Sequence, residues 1–63
     1  MEIDKLGEST ALRVFCKDDE IDQAAAELCK KAKELEILPC AMTFEQTVDY
    51  EETGQYQVIL WGT

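Results

Sequence analysis

Sixty-three residues suffice for one domain but not for a second domain or an enclosed substrate pocket, since a chain of this size buries only about 60% of the surface its unfolded form exposes. Hydrophobic content of 46% beside 32% charged residues is too apolar for intrinsic disorder. Fourteen Asp and Glu against six Lys and Arg give a net charge of -8 without any His, which disfavours direct contact with nucleic acid or anionic lipid, both held through Lys and Arg.

Residues 1–9 offer only Ile3 and Leu6 as apolar anchors between the breakers Gly7 and Ser9, and are expected to form a loose N-terminal arm or a short edge segment. Residues 10–63 are expected to form a single α+β domain. From Thr10 to Lys17 the chain alternates, with Leu12, Val14 and Cys16 on one face and Arg13, Phe15 and Lys17 on the other; this period of two predicts a first strand.

Between Asp18 and Ile37, the residues Ile21, Ala24, Ala25, Leu28, Ala32 and Leu35 recur at three- and four-residue steps, the stripe of an amphipathic helix. Asp18 or Asp19 is placed to cap its first amides, Glu20 and Asp22 favour the positive end of its dipole, and Lys30, Lys31 and Lys33 favour the negative end. Pro39 forbids continuation.

Cys40 to Tyr50 alternates again, with Met42, Phe44, Val48 and Tyr50 on one face, and predicts a second strand. Glu51-Glu52-Thr53-Gly54 has the polarity and glycine of a four-residue hairpin loop. The third strand, Gln55 to Trp61, contains Val58-Ile59-Leu60-Trp61, apolar on both faces, and is therefore expected to be central.

The expected fold is a two-layer β-α-β-β domain with one helix on a three-stranded antiparallel sheet of order one-three-two. Direction alone then gathers Asp18, Asp19, Glu20 and Asp22 beside Asp49, Glu51 and Glu52 at one acidic pole. One helix covers one sheet face, expected to be that of Leu12, Val14, Phe44, Val48, Val58 and Leu60. Phe15, Ile59 and Trp61 are left on an open face beside Thr43, Glu45 and Thr47.

No residue set converges on catalysis: without His, a cysteine nucleophile lacks its usual activating base. Cys16, Cys29 and Cys40 are three, with neither C-x-x-C nor zinc-knuckle spacing, and the acids lack the alternation of a calcium loop. The expectation is reduced thiols, no metal, no cofactor and a cytoplasmic chain. No 18-residue apolar run is present, and the start Met1-Glu2-Ile3-Asp4-Lys5 lacks the pattern of a signal peptide.

The sequence therefore points to a non-enzymatic acidic protein that regulates or inhibits a protein partner with a basic surface. Its carboxylates would imitate nucleic-acid phosphates, the device of small phage or mobile-element inhibitors. The alternative is a homodimeric adaptor or structural domain, pairing through Phe15, Ile59 and Trp61 or through an exposed strand edge.

Overall fold

The computed structural model describes all 63 residues. Strand β1 is Asp4–Lys5 and β2 is Leu12–Lys17; a 3-10 turn over Asp18–Glu20 leads into α1, Ile21–Glu34. Strand β3 is Pro39–Gln46, α2 is the single turn Tyr50–Thr53, and β4 is Gln55–Gly62. The sheet is antiparallel throughout, with order β1-β2-β4-β3.

The predicted α+β class and the central position of the last strand hold, but the sheet has four strands rather than three. The extra strand comes from residues 1–9. Gly7 turns the chain at φ 58° and Leu6 N–H donates to Ala11 O at 3.0 Å, so that Asp4 and Lys5 pair with Arg13 and Leu12. Ile3 packs on the core, and Asp4 Oδ2 lies 3.6 Å from the Arg13 guanidinium.

The helix is shorter than its apolar stripe suggested. Neither Asp18 nor Asp19 caps it: the preceding residues tighten into the 3-10 turn, and the Glu20 carboxylate accepts from Lys17 N–H at 2.9 Å. At the other end Glu36 adopts φ 58°, Glu36 N–H donates to Lys33 O and Ile37 N–H to Ala32 O at 2.8 Å. This is a Schellman closure built on glutamate instead of glycine, at a cost of order 1 kcal/mol. It reverses the chain and drives Ile37 into the core, where it is 7% exposed.

Leu12, Val14 and Cys16 from β2, Ala24, Leu28 and Ala32 from α1, Val58 and Leu60 from β4, and Ile37 form the core. No β3 residue belongs to it; Met42 packs only partly buried against its flank. The alanines let α1 lie close over β2 and β4, and a single helix reaches no further. Phe44 and Val48, expected under the helix, are therefore exposed, Val48 completely. Strand β3 also ends four residues before Tyr50, because Thr47 O–H donates to Asp49 Oδ1 at 2.7 Å and turns the chain. The expected hairpin loop becomes Thr47 to Gly54, enclosing α2 and ending with Gly54 at φ 67°.

Candidate functional site

The acids at the β2–α1 junction and those of the β3–β4 connection share one end of the sheet, because β2 and β3 both finish there. Tyr50 ties them together. Its O–H donates to Asp18 Oδ2 at 2.9 Å, while its ring meets Tyr56 edge-on at a centroid distance of 5.1 Å. Tyr56 stands on β4 against the core, so α2 is held at a fixed distance from the start of α1.

Asp18, Asp19, Glu20, Asp22, Asp49, Glu51 and Glu52 include no partner of the three ion pairs in the molecule. Only Asp18, Glu20 and Asp49 accept a side-chain-mediated hydrogen bond. The field of this end is felt in the interior. The Cys16 thiol is pushed up by burial, and further by the carboxylates of Glu20 and Asp18.

The hydrogen bond to Asp18 is also the main reason that the Tyr50 phenol ionises well above its ordinary value, with Tyr56 adding to the effect. The folded value is the higher one, so this contact stabilises fully below pH about 10 and its contribution fades as pH rises past that point. In an alkaline titration followed by phenolate absorbance, one of the two tyrosines is expected to stay protonated beyond the ordinary range. In Tyr50→Phe that late step is expected to vanish. Late ionisation persisting in the variant would mean that the Asp18 contact is not its cause.

The second surface is the sheet face opposite α1. Phe15 and Trp61 are 42% and 44% exposed there, whereas Ile59, expected beside them in the open, is only 9% exposed. Its cross-strand neighbours explain the difference. Ile59 is flanked by Arg13 and Thr43; the Arg13 guanidinium leans over the Phe15 ring at 5.1 Å, and Trp61 Nε1–H donates to Thr43 Oγ1 at 3.1 Å. The face is thus sheltered by its own long side chains, and only the two aromatic rims are offered outward.

A shallow depression lined by Phe15, Glu45, Val48, Asp49 and Gln57 joins this face to the acidic end. The sequence reading missed Tyr50 as the residue that organises the pole. The turn-forming Thr47-Val48-Asp49 before it was the available signal. Cys16 is buried while Cys29 and Cys40 are exposed, and no three His, Cys, Asp or Glu side chains converge as metal ligands. No helix is long and apolar enough to cross a membrane. No family model, curated protein or solved structure matches this chain.

Proposed function

We propose that this chain is a non-enzymatic binding protein that regulates or inhibits a partner by placing its acidic end on a basic, nucleic-acid-binding surface. What carries the reading is the Tyr50–Asp18 bond, which fixes two carboxylate-bearing segments relative to each other while none of the seven acids is neutralised by an ion pair. Segments already fixed to each other need less ordering on docking, and the unneutralised field of their carboxylates steers a basic surface toward them. Phe15 and Val48, at the margin of the adjoining depression, supply apolar contact beside the charge.

The reading is tested with the purified chain immobilised beside its Glu51→Lys, Glu52→Lys variant. Proteins retained from lysate are eluted by stepped salt and, separately, by duplex DNA. A nucleic-acid-binding protein released by either eluant, and held at least about tenfold more weakly by the variant, is the expected result. Equal retention by both forms, with no displacement by DNA, would overturn it.

A further inference from the structure

The two edges of the sheet differ. On the β1 side two residues cover only Leu12 and Arg13 and leave residues 14–17 of β2, which end in a lysine, beside them; on the β3 side the edge is one strand of eight residues. Thr47 N–H donates to Gln55 O at 3.1 Å, and the same register runs on through Glu45 with Gln57 and Thr43 with Ile59. Opposed pairs in an antiparallel ladder alternate between bonded and non-bonded. The odd-numbered residues of β3 therefore bond to β4, and the backbone N–H and C=O groups of Met42, Phe44 and Gln46 point out from the free edge.

Proteins blunt such edges with lysine, proline, bulges or a covering segment. In β3 the proline and the bulge lie at its beginning, between Pro39 and Ala41. From Ala41 to Gln46 the sole charge is Glu45, and no other segment of the chain covers the strand.

We propose that this edge pairs with the same edge of a second copy, β3 against β3, across a two-fold axis at Phe44, making one continuous eight-stranded sheet. A two-fold perpendicular to the sheet keeps equivalent faces on the same side. It sets Phe44 opposite its own copy, Met42 opposite Gln46, and Thr43 opposite Glu45, so no like charges oppose each other.

Charge favours the same arrangement at longer range. The antiparallel pairing turns the Gln46 end of each β3, from which the acidic loop follows, toward the Pro39 end of the other copy, where Lys33 and Glu36 share a groove with Pro39. Each acidic end thereby lies toward an end of the other copy where lysine and glutamate nearly balance, instead of toward its acidic pole. The two acidic poles, which repel most strongly, fall at opposite ends of the pair. The half-exposed Phe44 rings meet over the α1 side of the sheet, where no helix covers them. This pairing uses none of the seven polar acids as a contact that must form, so it stands or falls separately from the binding role of the acidic end.

Sedimentation equilibrium of the full chain from micromolar to millimolar concentration tests it. The expected result is a reversible rise to twice the single-chain mass. Phe44→Pro removes an N–H that faces no strand within one copy, and should weaken association at least about tenfold while preserving the native circular dichroism. Phe44→Lys leaves the backbone intact and puts two cations across the axis, with the same expected loss. It decides the matter if the proline variant fails to fold. A single-chain mass over the whole range, or a dimer that the lysine variant leaves unchanged, would overturn the proposal.

Discussion

Replacing Leu28 with alanine is expected to remove about 2 to 5 kcal/mol of stability, against a total of roughly 3 to 9 kcal/mol for a chain of this length. Leu28 is completely buried, on the face of α1 turned to β2 and β4. Its helical neighbours along that stripe are Ala24 and Ala32, also fully buried. Alanines have no reach with which to fill the space a leucine leaves, so the site can collapse only by moving the helix. The same smallness that lets α1 approach the sheet leaves Leu28 as the one large side chain that the helix buries fully in the core. Urea unfolding followed by helical circular dichroism measures the loss. Leu38→Ala is the comparison, because Leu38 is 70% exposed, and it should change stability by less than about 0.5 kcal/mol. Equal midpoints for the two variants would show that Leu28 does not carry the core.

The second large effect is expected at Gly62, where alanine should cost about 1 to 3 kcal/mol. A strand glycine exchanged for alanine ordinarily gains stability, since the unfolded chain loses freedom. Space reverses the sign here. A Cβ on Gly62 would overlap Ile37 Cγ2 and stand 2.8 Å from the Leu38 carbonyl oxygen, with Thr10 O at 3.3 Å. Neither carbonyl is free to withdraw. Leu38 and Thr63 exchange backbone hydrogen bonds of 3.0 and 2.9 Å, and Thr10 Oγ1–H donates to the Gly62 carbonyl. Ile37 is held by the Schellman closure that ends α1. Any shift that admits a methyl group must strain one of these. An unfolding midpoint equal to or above that of the unmodified chain would refute the expectation.

Both effects arise where the chain closes on itself, and they show how differently the two kinds of information enter. Leu28 is recognisable from the primary structure, since its position in a three- and four-residue recurrence is enough to assign it to the buried stripe. Gly62 is not recognisable, because its constraint comes from residues 24, 25 and 52 positions away. The acidic end shows the same division. That the two groups of carboxylates share one end follows from strand direction; that Tyr50 joins them does not, because the alternation of Met42, Phe44, Val48 and Tyr50 suggested a strand running through to Tyr50. The turn at Thr47 and Asp49 ended that strand early and released Tyr50 toward Asp18.

What the amino-acid order determines by itself is local or directional. The period of two makes the strands, the period near 3.6 makes α1, and the two-sided apolar run makes β4 central. What only the tertiary structure decides is who covers whom. Asp4 and Lys5 become a strand because Arg13 and Leu12, paired with β4 on one side, leave the outer edge of β2 open to them. Ile59 is sheltered because its flanking side chains close over it, and Phe44 is exposed because one helix spans two strands and not three. Periodicity records which face a residue occupies, whereas burial depends on what lies across that face, and that is a property of neighbours brought together from distant parts of the chain.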